Sequence, residues 1–473
     1  MNTKAQEMFE AAVNIEREYN FKAAKKAYEK IVSGFPGSVQ ADKASWRIPA
    51  VETLIEEKKI YQRIDWTAKK VLSDIGMNIA ENEKLMEILM GADAIDFDNE
   101  KALFIPLKPD YVERCLEMVP REFAGDPGVN SFGTGATPPF LKRVNDDELR
   151  PANQKEFEDI VRAVGEQSDI VDIFSVPVQT DKSTSDFECA RIMDHGFSGL
   201  KMISTKNMKD EEIRSFSGRG DWLDGTTLIS SLSPMNTMVN SFIRSAEAGN
   251  NLLLLDLSIA GFSAPHSPES LLTLIHAQEM FMMVLAQTIN PGITCVHGGI
   301  PGVTESGGDL SYTSLSQPLT NTAMARLNQW ITKFPSAQSG GSTSQTDDLE
   351  KAVEESEASR NMMRQYGTHI VRHALGAMGS LNFFSLEKFN EDCEREASAR
   401  KEFARNQRPE TGILPIELPA DLQAFEAIRD MAEKGNPRST DHTLQNVKSF
   451  MDWENRVEEA EQEKAGFFQP KAA

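Results

Sequence analysis

The sequence predicts an α/β fold, a (β/α)8 TIM barrel with an N-terminal helical hairpin, a small α/β cap and C-terminal helices. Three observations carry that prediction. Residues 251–302 read as a short apolar run, a Gly/Ser/Pro loop, a long apolar helix stopped by Asn290-Pro291-Gly292, and a second short run, ITCVHG. A strand, helix, strand unit of that kind needs a parallel sheet. Strand-like and helix-like segments alternate eight times between residues 129 and 405, which is the barrel count. Both strands of the 251–302 unit also end in polar side chains, Asp256 with Ser258 and His297. Strand C-termini are where α/β folds keep their sites.

In chain order, residues 1–60 read as a tetratricopeptide-like helical hairpin, with a Gly-Phe-Pro-Gly turn at 34–37. One such repeat cannot bury its own face, so it should pack on the main body. Residues 61–125 read as the small cap: helix, Gly76 stop, second helix, the short strand LFIP, and a helix from Pro109. The barrel is assigned to 126–405. Its strands are expected at 129–133, 170–178, 199–204, 226–231, 251–257, 293–298, 334–340 and 377–383. The intervening helices include 267–288, 319–332 and 349–375. Residues 406–473 form a C-terminal helical extension that opens on the Pro-rich ETGILPIELP. No P-loop or glycine-rich dinucleotide fingerprint follows a strand.

The 473 residues suggest about three domains, or one barrel with additions. Apolar content of 40% and charged content of 26% are those of a globular chain. A formal charge of −22 argues against nucleic acid and anionic membrane as partners. The N-terminus reads as a charged amphipathic helix rather than a signal peptide, and the apolar stretches read as too short for a membrane span. Cys115, Cys189, Cys295 and Cys393 have no paired spacing, which points to a reducing cytoplasm.

The expected strand ends carry small, mostly neutral groups: Phe132, Gln179, Ser204 with Lys206, Ser231 with Ser233, Asp256 with Ser258, His297, Ser339 with Ser342, and Asn382 with Phe384. Acids and bases are sparse for a hydrolase or lyase. Cys295-x-His297 puts two metal-ligand types on one strand face, but zinc needs a third ligand and the sequence shows none. A buried cysteine and a hydrogen-bonded histidine is the better reading, and no metal is expected. Asp256, at the end of an LLLL strand, is either buried or in a site.

Several segments occur in one order from 61 to 394: VLSDIGMNI, FIPLKPDYVERCLEMVPREF, VNDDELRPANQKEFEDIVRAV, STKN, SLSPMNTM, AGFSAPHSPESLLTLIHAQEMFMMVLAQTINPGITCVHGG and GAMGSLNFFSLEKFNEDCE. Together they resemble the trimethylamine methyltransferase family of corrinoid-dependent (β/α)8-barrel enzymes. The resemblance implies transfer of a methyl group from a methylated amine to Co(I) of a separate corrinoid protein. The barrel would then hold no tight cofactor of its own, and it would self-associate as related barrels do. Founding members carry pyrrolysine in a Gly-Gly-x-Ser/Thr context after the seventh strand; the matching position here is Ser342, in SGGSTSQTDD. That departure removes the imine electrophile and implies a non-pyrrolysine member, some of which demethylate glycine betaine and related quaternary amines. A second departure is SLSQPLTN, with Gln317 and Pro318, where many relatives have an acidic turn.

A quaternary ammonium already carries its leaving-group charge, so a site poor in acids suits it: the barrel has to hold the cation and aim one methyl. Asp256, His297 and Ser342 are therefore the expected catalytic residues. The expected substrate-binding residues are Phe132, Lys206, Asp309, Tyr312, Ser339, Ser344, Asn382 and Phe384. Phe132, Tyr312 and Phe384 offer aromatic faces to an ammonium, and Asp256 or Asp309 its countercharge. Lys206, His297, Ser342 and Ser344 could receive a substrate carboxylate. The competing expectations are a non-catalytic relative that binds a solute or protein, and a zinc-dependent barrel using Cys295 and His297.

Overall fold

The computed structural model describes residues 2–95, 103–135, 137–143, 146–227, 229–304, 311–312, 314–406 and 412–434. The chain is an α/β fold of helices and parallel sheets. It begins with α1 (Asn2–Arg17), α2 (Phe21–Gly34) and α3 (Val39–Lys70). Asn20 and Ser38 cap α2 and α3 by accepting from the backbone N–H groups of Ala23 and Ala41. The expected boundary at residue 60 falls inside α3, which runs unbroken past Pro49. The hairpin therefore continues directly into the main body. The cap follows, with α4 (Glu83–Gly91), α5 (Pro109–Met118) and two short antiparallel strands, Met77–Asn78 and Phe104–Ile105.

Eight short parallel strands come next: β1 (Ser131–Phe132), β2 (Ile173–Ser175), β3 (Leu200–Ile203), β4 (Trp222–Thr226), β5 (Leu252–Leu254), β6 (Cys295–His297), β7 (Ala337–Ser339) and β8 (Ile370–Arg372). Strands β2 to β6 form one sheet in chain order, and β7, β8 and β1 form another. Isolated parallel bridges, Gly133 to Ile173 and His297 to Ser336, lie at the two seams. One face of these strands gathers Ile173, Met202, Leu253, Val296, Ala337 and Ile370 into a cluster. The other face packs helices α6 (Gln154–Glu166), α7 (Asp186–Gly196), α8 (Asp210–Arg214), α9 (Asn236–Ala248), α10 (Pro268–Ile289), α11 (Ser316–Leu327) and α12 (Leu349–Tyr366). Beyond them lie α13 (Leu386–Asn406) and α14 (Ala424–Lys434).

Two expected strands are corrected. The fourth is Trp222–Thr226, ahead of 226–231. Its Asp224-Gly225 pair looks like a turn signal. Here the Asp224 carboxylate is buried and accepts from the Thr205 backbone N–H at 2.9 Å, so the pair sits inside a strand. Ile229–Ser230 instead pairs antiparallel with Ser233–Pro234. The eighth strand is Ile370–Arg372, not 377–383: α12 stops at Tyr366, where Gly367 takes φ +79. Ala377–Met378 and Phe383–Ser385 form an antiparallel hairpin outside the eight-strand set.

Helix α10 also corrects an expectation. Its 22 residues are long and apolar enough to cross a membrane, yet every residue from Pro268 to Gln287 is buried within the fold. Part of its cover comes from α3 and α5, and part from α14. A second tie runs through a buried ion pair. Glu57 Oε1 accepts from Arg326 Nη1 at 2.8 Å and from the Tyr61 hydroxyl at 2.7 Å. Arg326 also donates to the Tyr366 and Leu414 carbonyls, each at 2.6 Å, and Ile416 N–H donates to Glu57 at 2.8 Å. Tyr19, Phe21 and Tyr61 gather around Trp330 nearby. One pair thus joins the N-terminal layer, α11 and the C-terminal segment.

Deleting one member of a buried pair strands the other charge. Glu57→Ala should cost about 3–5 kcal/mol in urea unfolding. The apolar double variant Glu57→Leu/Arg326→Met should cost less than the two single losses combined. A loss below about 1 kcal/mol for Glu57→Ala, the range of an exposed pair, would remove the pair from this role.

Candidate functional site

Where β7 and β8 end, three polar side chains meet. Ser339 Oγ lies 2.8 Å from His373 Nδ1 and 3.2 Å from the Tyr312 hydroxyl. All three are buried. Tyr312 is fixed through its own N–H, which donates to Ser344 Oγ at 3.1 Å, and Ser380 donates to the same oxygen at 3.2 Å. His373 sits at φ +67, a conformation that costs a side-chain-bearing residue energy unless its surroundings hold it. The next two N–H groups, of Ala374 and Leu375, both donate to Gly133 O, at 2.9 and 3.2 Å. Gly135 must be glycine for this approach. At φ +145, a Cβ there would lie 2.9 Å from Ser175 Cβ and 3.1 Å from His373 Cδ2.

Arg372 precedes His373 and is 1% exposed. Its Nη2 donates to Gly298 O at 3.0 Å and Ala337 O at 3.1 Å. Burial lowers its pKa to about 10, still cationic at neutral pH. Burial, with the Arg372 charge beside it, holds the His373 imidazole well below its ordinary range. Burial also lifts the Tyr312 phenol to about 12. The cluster is therefore a phenol, a hydroxyl and a neutral imidazole beside one fixed cation. It offers hydrogen-bond donors and positive potential, which suit an anionic or polar end of a small ligand.

A second polar set lies behind the ends of β5 and β6, against α10. Asp256 accepts from Ser258 Oγ at 2.8 Å and Gln278 Nε2 at 2.6 Å. Gln278 Oε1 in turn accepts from the backbone N–H of Leu232, which sits at φ +60. Burial pushes the Asp256 carboxyl up to about 7. His297 Nε2 lies 3.1 Å from His276 Nδ1, and burial holds His297 well below the usual imidazole range. Cys295 and His297 both face α10, while Val296, between them, joins the opposite cluster. Among the described residues, no three His, Cys, Asp or Glu side chains are grouped to hold a metal.

Of the residues singled out from sequence, Tyr312, Ser339 and Ser344 come together, with Ser342 close in chain and its hydroxyl donating to Ala377 O at 3.2 Å. Asp256 and His297 lie behind the strand ends instead. Phe132 does not line the cluster: its ring packs among helices with Phe157 and Met363, and the Arg364 guanidinium lies 5.0 Å from its centroid. Lys206 is exposed. Asn382 is exposed and donates to Gly379 O in its own turn at 2.7 Å. Phe384 is buried against Phe389, in the hairpin outside the parallel strands. Asp309 lies outside the described residues. Sequence reasoning missed Arg372 and His373 because it ran a helix across them. It also passed over His276, Gln278 and Glu279. Their signal was three polar residues in four positions of an apolar helix.

The sequence model of trimethylamine methyltransferase (MTTB) matches residues 32–465. The chain belongs to that family. It is similar to the glycine betaine methyltransferase of Desulfitobacterium hafniense (strain Y51), at 24% identity over 377 residues, covering 73% of this chain and 76% of that one. Among solved structures it is similar to the hydroxylamine complex of MtmB, with TM-score 0.45, 9% identity, and 86% and 92% of the two chains covered. It is also similar to the Methanosarcina barkeri monomethylamine methyltransferase (MtmB), with TM-score 0.44, 10% identity, and 80% and 94% covered.

Asp256 gives a pH test. Its folded value, about 7, lies above its ordinary one, so the folded chain keeps a proton that the unfolded chain releases. The resulting stabilisation is complete below about pH 4 and is lost as pH rises through about 7. Asp256→Asn should therefore flatten the fall in stability between about pH 4 and 7 by a few kcal/mol at most, on the order of 1.4 kcal/mol per unit. Equal pH slopes in urea unfolding of the two proteins would contradict this.

Proposed function

We propose that this chain takes a methyl group from a quaternary or other methylated amine, betaine-like in carrying a carboxylate, and passes it to Co(I) of a corrinoid held by a partner protein. Family membership and the glycine betaine methyltransferase relative support the methyl-transfer class. The observation that carries the substrate reading is the buried Tyr312–Ser339–His373 chain beside Arg372. We also take the eight strands to close as a (β/α)8 barrel. The bridges at both seams and the chain-order pairing support that closure, with the cluster at the strand C-termini.

The corrinoid supplies the nucleophile, so the chain's own residues bind, orient and exclude water. Arg372 supplies a fixed positive potential for the carboxylate, and Tyr312 and Ser339 supply hydroxyl donors. With the carboxylate held, the ammonium end is directed away from Arg372, which like-charge repulsion favours. No residue has to protonate a nitrogen that already carries four carbons, which agrees with a neutral His373 and an un-ionised Tyr312. Ser342, where founding members carry pyrrolysine, offers only a hydroxyl, so this reading forms no covalent adduct with substrate.

Incubating the purified chain with cob(I)alamin and a panel of methylated amines tests the proposal. Methylation is expected with at least one carboxylate-bearing quaternary amine and not with trimethylamine. Tyr312→Phe and Ser339→Ala should each lower kcat/KM by about tenfold, the effect of losing one hydrogen bond. If no methylated amine reacts, even with a cognate corrinoid protein present, the proposal fails.

A further inference from the structure

His276 and His297 are both fully buried, with stacked rings 5.3 Å apart between centroids. Their hydrogen bonds run in one direction. The Gly299 N–H donates to His297 Nδ1 at 3.3 Å, which leaves the His297 ring proton on Nε2. That nitrogen faces His276 Nδ1 at 3.1 Å, so the His276 proton sits on Nε2, which faces Asp65 Oδ1 at 3.2 Å. Asp65 belongs to α3 and also pairs with Lys69 at 3.2 Å. Burial works against the Asp65 charge, but His276 and Lys69 outweigh it and keep the carboxyl below its ordinary range.

The other end of this chain is the Gly298–Gly299 turn after β6. Gly298 N–H donates to Glu279 at 3.2 Å, and its carbonyl accepts from Arg372 at 3.0 Å. A Cβ on Gly298 would meet Leu254 O at 1.9 Å, and one on Gly299 would meet Ile275 Cγ2 at 2.4 Å. The turn is bare backbone, held on one side by His297 and Glu279 and on the other by Arg372. A shift in it moves the carbonyl on which the Arg372 guanidinium rests, and Arg372 adjoins His373.

We propose that Asp65, His276 and His297 form a positioning relay from the N-terminal helical layer to the Gly298–Gly299 turn and so to Arg372. The N-terminal layer is then a working part of the site. The role in catalysis rests on the methyl-transfer reading above; the relay itself does not.

Two measurements test it separately. Long-range 15N–1H correlation of the histidine rings should find both relay protons on Nε2. Asp65→Ala should shift the His276 pair and speed amide exchange of a 295–302 peptide by more than its loss of global stability in urea unfolding accounts for. Asp65→Asn, which keeps an acceptor oxygen, should restore most of the protection. In methyl-transfer assays Asp65→Ala should lower kcat/KM by about tenfold, the loss of one hydrogen bond, mainly through a higher KM because Arg372 holds the carboxylate, and Asp65→Asn should recover part of it. A proton on Nδ1 of either ring, or unchanged exchange at 295–302 in Asp65→Ala, overturns the relay whether or not a methyl donor is known. Intact tautomers and altered exchange with wild-type kcat and KM overturn its part in catalysis alone.

Discussion

Helix α10 is largely apolar and buried on every face, and a helix of that kind is stable only when covered on all sides. Most of the molecule's additions to the parallel strands can be understood as that cover. The strands lie on one side. Helices α3 and α5 lie on others, with α14 and neighbouring helices completing the enclosure. The N-terminal hairpin could not bury its own apolar face, and α10 could not stay exposed. Helix α3 packs on α1 and α2 and also on α10, and so meets both needs.

Complete burial sets a condition on the few polar groups α10 carries: each needs a partner. Glu269 meets Arg63 of α3 at 2.7 Å, Gln287 meets Ile293 O at 2.8 Å, and Gln278 bridges Asp256 and Leu232. His276 reaches Asp65 on one side and His297 on the other. The same helix that closes the core thus also props the ends of β5 and β6. Structural satisfaction and site geometry share one set of hydrogen bonds here, so the layer remote from the strand ends still bears on them.

Much of this was legible in the sequence. In the 251–302 unit α10 falls within one residue of its expected bounds and β5 and β6 lie inside their longer expected runs, because a long apolar helix between two short β-rich runs has few alternative readings. Ser339 was singled out because small polar groups after apolar runs mark strand ends, whereas Tyr312 was chosen as an aromatic face for an ammonium and Ser344 as a hydroxyl for a carboxylate. The failures have physical causes. Asp224-Gly225 carries a turn signature that a tertiary bond from Thr205 overrides. The three-residue strand Ile370–Arg372 is too short to show a period, so the preceding helix absorbed it, together with Arg372 and His373. Phe132 and Phe384 were chosen as aromatic faces, but which side of a strand or hairpin a ring takes depends on register, which short strands specify weakly.

Hydrogen exchange resolved by segment tests the account's central claim, that α3 and α10 are one packed unit. If the N-terminal layer is part of the core, the slowest amides in 54–68 and in 272–286 should exchange with the same opening free energy, equal to that of global unfolding. If 54–68 opens at a free energy several kcal/mol lower while 272–286 stays protected, the layer is an appended domain and the account is wrong.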